Sequence, residues 1–503
     1  MEMLAGLADA LSFLNLLYVF LGVGLGIIVG GIPGLSGPIA IAVTVPLTYF
    51  MPTVGAIGFL VGINKGACFG GSISAILINT PGAAEAAATT FDGYPLTQKG
   101  KSLLALRIAL CSSVFGDVFS TALLILVAGS IAQFALKLGP VEQTSILLLA
   151  LTLIAALESE SFLKGIIAAC FGLLIACVGM EPVTYMPRFS FGLYQLENGI
   201  SIAALCLGLL AMSEIVRQSV TSQKSGDGGA GDAADCLAEL DKDANRLHFA
   251  HIKRIFPTWI KSSIFGSLIG ICPGLGSSVA AFLAYGIAKK RAKPDEKFGE
   301  GEIKGIAAPE SANNAVVGSS LIPLFTLGIP GSVAASLMIG AFVIHGITPG
   351  PLMFEEHARS VYGIYGSMIV ACVACLMLGM FAAKSFCKVL RVPRQFLYST
   401  ILFTCILGAF VLNSSDFDVY VAAVFTVVGL LIKLTKFSFV AVIIGFVLGE
   451  MLELSLQQTM IASHMNILIL FERPISCFFT CIGLLFIAYF MYGAYKKKKA
   501  AKA

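Results

Sequence analysis

Hydrophobic positions in this chain fall in long unbroken runs instead of alternating with polar ones. Runs of about 20 residues, the length that crosses the hydrocarbon core of a bilayer, recur at 11–31, 200–215, 365–383, 396–412, 419–432, 439–452 and 471–492. None shows a period of two, so helices are expected rather than a barrel. With the interrupted apolar stretches between them, the pattern predicts an all-α polytopic membrane protein of about 10–12 transmembrane segments. Met1-Glu2-Met3-Leu4-Ala5 has neither a basic region nor a small-residue cleavage site, so the first span is read as retained.

Composition agrees. Of the residues 57% are hydrophobic and only 12% charged, with a mean hydropathy of +0.90, against roughly 25% charged in soluble proteins. The net charge of +4 does not point to nucleic acid, because Lys and Arg cluster beside the spans and report topology. Lys496 to Lys499, Lys433 with Lys436, and Lys384, Lys388, Arg391 and Arg394 form basic loops, whereas Asn413 to Asp416 and Gln457-Gln458 carry no Lys or Arg. This alternation places the C-terminus in the cytoplasm, with 493–503 as a basic tail. The 13 cysteines lie in apolar segments, and Cys372-x-x-Cys375 has no second pair, so packing is favoured over a structural metal or redox site. No cofactor is expected.

A hydrophilic stretch at 217–256, Gly-rich from Ser225 to Gly231, is read as a cytoplasmic linker that divides the chain into membrane repeats 1–216 and 257–492. Ile32-Pro33-Gly34 recurs as Cys272-Pro273-Gly274, 240 positions later, and Asn79-Thr80-Pro81-Gly82 as Gly328-Ile329-Pro330-Gly331, 249 later. Two matches in order indicate an internal repeat. Lys99 and Lys101 follow the second Pro-Gly of the first half, but Lys289, Lys290 and Arg291 follow the first Pro-Gly of the second. The copies are therefore expected to be inverted repeats, each with Pro-Gly-broken helical hairpins, a signature of secondary transporters.

Pro and Gly inside an apolar run free backbone groups that protein or a wet cavity must satisfy. Close packing by small residues is the competing reading. The segments after Pro81-Gly82 and Pro330-Gly331 are read as helix starts, whose free N–H groups attract anions. The candidate substrate-binding residues are Pro33, Gly34, Ser36, Asn64, Lys65, Ser72, Asn79, Thr80, Pro81 and Gly82 in the first half. Their second-half counterparts are Pro273, Gly274, Ser277, Ser278, Asn313, Asn314, Ser319, Gly328, Pro330 and Gly331. Asn79, Thr80, Glu310, Asn314 and Ser320 are candidates for a coupling ion, Na⁺ or H⁺. Lys65 is read either as a charge neutralising a carboxylate or as a snorkelling surface lysine. Glu310 is read either as a coupling group or as a helix-start carboxylate after Pro309. No nucleophile–base pair or metal cluster supports an intramembrane enzyme; a passive channel remains the alternative to a carrier.

These motifs also resemble a known family. Asn79-Thr80-Pro81-Gly82, Asp92-Gly93-Tyr94-Pro95, Ala308-Pro309-Glu310-Ser311-Ala312-Asn313-Asn314-Ala315, Leu327 to Gly331 and Pro349-Gly350-Pro351 resemble the large membrane subunit of the tripartite tricarboxylate transporters. The resemblance implies a multi-pass protein of the bacterial inner membrane that imports a di- or tricarboxylate by cation symport, by an elevator-like movement. It also implies two partners, a small four-span membrane subunit and a periplasmic solute-binding protein, and leaves a homodimer open. The chain departs from the family's Gly-x-Tyr-Tyr-Gly pattern, with Asn64-Lys65 between Gly62 and Gly66, so citrate itself is not carried over.

Overall fold

Glycines spaced four apart on an apolar helix invite a close partner, because a bare Cα lets a second backbone approach. The computed structural model, which describes residues 1–157, 161–222, 246–389 and 394–500, has such a pair at its centre. After α1 (Glu2–Ala10) and α2 (Phe13–Gly31) the chain breaks at Pro33-Gly34, forms α3 (Gly37–Thr44) and a 3-10 turn (Val45–Phe50), and enters α4 (Thr53–Ile78). Gly22, Gly26 and Gly30 of α2 face the Phe59, Ile63 and Ala67 carbonyls of α4. In return Gly62, Gly66 and Gly70 face those of Val19, Val23 and Ile27. A Cβ at Gly26 or Gly66 would collide with the facing backbone. Helix α4 is buried from Val54 to Leu77, which makes it the core helix.

A 3-10 segment (Ala84–Thr89) leads to α5 (Thr90–Gln98), α6 (Ser102–Ala135), α7 (Pro140–Leu157) and α8 (Phe162–Ala176). A small antiparallel hairpin, β1 (Gly179–Met180) and β2 (Pro187–Arg188), precedes α9 (Ile202–Cys206), which passes through a π-helical turn (Leu207–Met212) into α10 (Ser213–Ser222). The second half comprises α11 (Phe249–Ile271), α12 (Gly276–Lys290), α13 (Ile303–Ser319), α14 (Leu321–Leu327), α15 (Val333–Ile344), α16 (Met353–Glu356) and α17 (Ala358–Val389). It ends with α18 (Arg394–Asn413), α19 (Asp416–Leu434), α20 (Phe439–Ala462), α21 (Ile469–Glu472) and α22 (Pro474–Ala500).

Helices of the two halves share one core. Helix α4 packs on α2, α6 and α17, α6 packs on α13, and α13 packs on α11 and α12. Beside this group α20 lies against α7 and α8, α22 against α7, and α19 against the π-helical turn. Eight of the described helices are long and apolar enough to cross a membrane, and shorter apolar helices fall at 37–50, 140–156, 162–176, 333–344 and 398–411. The protein is thus an all-α polytopic membrane protein.

Part of the hydrophilic stretch 217–256 is helical: α10 runs on to Ser222 and α11 begins at Phe249, while Ser225 to Gly231 lies outside the described residues. Helix α22 takes in 493–500 of the basic tail, and 501–503 lie outside the description.

Candidate functional site

The two sets of breaks have closely similar local geometry. Gly34 and Gly274 adopt φ of 88° and 89°, a left-handed conformation open to glycine without strain. At the second break of each half the chain turns through a left-handed residue, Asn79 (φ 53°) or Gly328 (φ 74°). The Gly82 amide then donates to the Gly71 carbonyl (3.2 Å), as the Gly331 amide does to that of Ser320 (3.2 Å). A Cβ at Gly82 would strike the Gly30 carbonyl, and one at Gly331 the Gly270 carbonyl. The tip at Gly34 is in addition tied to the second break by its amide, which donates to the Gly82 carbonyl (3.0 Å).

These tips surround a cavity of about 590 Å³. Ser36, before the first turn of α3, and Gly276, Ser277 and Ser278 in the first turn of α12, line it. So do Ser332, Val333 and Ala334 at the start of α15, and Ala83, Ala84 and Glu85 at the start of the 3-10 segment. An α-helix N-terminus carries roughly +0.5 charge on its free N–H groups, so several such ends impose a positive potential on one space. Asn64 and Ser320 add polar side chains and Gly34, Pro81, Gly82 and Gly274 add backbone, while Ile39, Leu210, Val317, Phe439 and Ile444 form an apolar side.

The positive side-chain charge comes from outside the hairpins. Glu214, Arg217 and Lys433 line the cavity. The Glu214 carboxylate accepts from Arg217 (2.5 Å), Gln218 (2.7 Å) and Lys433 (2.8 Å). Gln218 also donates to the Gly34 carbonyl (2.8 Å) and accepts from the Tyr398 hydroxyl (2.8 Å), joining α10 to the hairpin tip and to α18. Two cations face two carboxylates, Glu214 and Glu85, so formal side-chain charges cancel and the helix ends supply the positive excess. Sequence reasoning did not place Arg217, Lys433 or Glu214 here, because charges flanking a span or linker read as topology signals.

Other predicted residues lie elsewhere. Asn79 and Thr80 are exposed outside the cavity wall, and Pro33, Pro273, Gly328, Pro330 and Gly331 shape the breaks without lining it. The Ser319 hydroxyl donates within its own helix to the Ala315 carbonyl (2.7 Å). Asn313 is fully buried with no partner among the described residues, and Asn314 donates to the Glu310 carbonyl (2.9 Å).

Lys65 is fully buried and away from the cavity wall. It pairs with Asp117 of α6 at 3.3 Å and donates to Thr121 Oγ1 (3.0 Å) and Cys372 Sγ (3.2 Å). The surface-snorkelling alternative therefore does not describe it. Glu310 is also fully buried, and its carboxylate accepts from Ser72 (2.5 Å), Ser113 (2.9 Å) and Thr89. Pro309 lies inside α13, so the helix-start alternative for Glu310 is corrected. Asp92 lies within α5, where it accepts the Gly299, Gly301 and Glu302 amides and the Tyr285 hydroxyl, pinning the loop after α12. After Pro81-Gly82 the Ala-rich stretch forms a 3-10 segment, which delivers Thr89 to Glu310; the helix expected directly there begins only at Thr90.

Broken helices that end at a polar cavity inside a polytopic helical bundle define a membrane transporter. The chain belongs to the tripartite tricarboxylate transporter TctA family, whose family model matches residues 16–444. It is 35% identical over 479 residues to an uncharacterized 52.8 kDa protein in the TAR-I ttuC' 3' region of Agrobacterium vitis, covering 95% of this chain and 93% of that one. It is also 35% identical over 219 residues to an uncharacterized protein in the TAR-II ttuC' 3' region of the same organism, covering 44% of this chain and 90% of that one. No solved structure matches significantly.

Proposed function

We propose that the chain imports a small di- or tricarboxylate, or a related organic anion, through the cavity between the hairpin tips, coupled to Na⁺ or H⁺. One observation carries this reading: α-helix N-termini from both halves meet Arg217 and Lys433 at a single cavity of about 590 Å³, room enough for a small organic anion. On this reading the halves are inverted repeats, and the hairpin-bearing group carries the anion across by an elevator movement against the remaining helices. The chain is the large subunit beside a small four-span membrane subunit and a periplasmic binding protein, in a bacterial inner membrane with the C-terminus cytoplasmic.

The test is uptake of labelled carboxylates into proteoliposomes holding the chain with its two partners. Saturable accumulation only under an imposed Na⁺ or H⁺ gradient supports the reading. Gradient-independent accumulation overturns the coupling, and non-saturating conductance overturns the carrier in favour of a channel.

A further inference from the structure

A second cavity, of about 290 Å³, lies between α11, α12 and the start of α13, with none of its lining residues shared with the cavity between the tips. Its walls are of two kinds. Ile264 and Phe265 of α11 and Ala284 and Ile287 of α12 form an apolar side, while Lys261 and Arg291 stand at a polar end with Lys304 and Glu296.

The charges at that end are not balanced. Glu296 is held by Lys304 at 2.6 Å, with Arg254 at 4.0 Å, and Arg254 also bonds Glu302 at 2.8 Å. Lys304 and Arg254 are therefore neutralised. Lys261 and Arg291 have no carboxylate within ion-pair distance among the described residues, and both are exposed. Two positive charges without an ion-pair partner among the described residues therefore stand at the polar end of the groove, opposite its apolar side.

The groove sits where such a combination is useful. From the break at Pro273-Gly274, α11 and α12 run side by side away from the cavity between the tips. About ten residues of α11, or roughly 15 Å, separate Lys261 from the end of that helix. This is half the apolar thickness of a bilayer. Ile264, Phe265 and Leu268 on α11, with Phe282 and Leu283 on α12, present large exposed side chains, which in a membrane protein is surface that lipid covers. The apolar wall thus runs without interruption into the lipid-facing surface, and the cations stand at its polar margin.

We propose that this groove binds one anionic phospholipid, its phosphate between Lys261 and Arg291 and an acyl chain along Phe265, Ile264 and Ile287. Charge complementarity selects an anionic headgroup, and the apolar wall selects a lipid over a soluble phosphate. The site is separate from the transport proposal and does not depend on it.

Native mass spectrometry of the full chain, titrated with phosphatidylglycerol or with phosphatidylcholine of the same acyl chains, tests this. The wild type is expected to retain one phosphatidylglycerol about tenfold more tightly than phosphatidylcholine. Lys261→Gln/Arg291→Gln is expected to abolish the difference, whereas Lys289→Gln/Lys290→Gln, which removes the same charge from exposed residues outside the groove lining, keeps it. Equal retention of the two lipids by the wild type overturns the site. So does equal loss in both double variants, which would mark unspecific attraction to a basic surface. Displacement of the lipid by glycerol 3-phosphate would overturn it in favour of a soluble-anion site.

Discussion

Replacing Asp117 by Asn strands the Lys65 ammonium inside the bundle. Both side chains are fully buried, 3.3 Å apart, and the Asp117 carboxylate has no hydrogen-bond donor other than that ion-pair contact among the described residues. At this separation and an effective dielectric of about 20, their attraction is about 5 kcal/mol. Removing one member of a buried pair leaves the other charge without compensation, at about 3–5 kcal/mol. Asp117→Asn and Lys65→Met are each expected to destabilise by that amount.

The double variant Lys65→Met/Asp117→Leu removes both charges at similar volume, and apolar replacement of a buried pair is often neutral. Only the Thr121 hydroxyl and the Cys372 thiol lose a partner, at about 1–3 kcal/mol together. Denaturant unfolding of the four proteins in detergent measures the cycle, with an expected interaction energy of at least about 3 kcal/mol. Additive penalties, with the double variant costing the sum of the singles, would refute the argument that Lys65 is held by Asp117.

Gly66→Leu places a side chain against the Val23 carbonyl of α2; it is expected to abolish accumulation in the membrane, read by immunoblot against wild type. Arg217→Ala and Lys433→Ala each remove a cation from the cavity wall and are expected to raise KM for a labelled dicarboxylate about tenfold or more at equal abundance; an unchanged KM in both would separate the cavity from substrate. Glu310→Ala strands the Ser72, Thr89 and Ser113 hydroxyls at about 1–3 kcal/mol each, so the melting temperature should fall, and adding Ser72→Ala should cost little more. The Thr184 hydroxyl and amide hold the Glu181 carboxyl down to about 2 from 4.5. A depressed carboxyl stabilises above its ordinary value and loses that contribution as pH falls through the folded one, so proteolysis of the β1–β2 hairpin should accelerate between pH 4.5 and 2 and not above.

The fold was legible where one physical rule governs a whole segment. Apolar length marked α2, α18 and α19 almost to their ends, because the bilayer thickness sets that length, whereas α20 runs ten residues past the apolar stretch that ended at Leu452. The breaks were legible because Pro and Gly interrupt a ladder that cannot be left open in lipid. The β1–β2 hairpin was not, since it is held by contacts distant in sequence: Arg188 meets Glu453 at 2.6 and 2.9 Å, and Glu181 meets Gln457 at 2.6 Å.

The site was less legible because one helix turn sends adjacent residues to different neighbours. In Gly62-Ile63-Asn64-Lys65-Gly66, the glycines take the carbonyls of α2, Asn64 faces the cavity and Lys65 reaches Asp117 on α6. A polar cluster in sequence locates such a segment, but each residue's partner depends on which helix occupies each side. Arg217 and Lys433 show the converse. They are 216 positions apart in sequence; Arg217 meets Glu214 one turn away on α10, but only the packing of α10 against α19 adds Lys433 to the same carboxylate. The local pattern thus encodes the Glu214–Arg217 pair, while the place of Lys433 beside it at the cavity is set by tertiary packing alone.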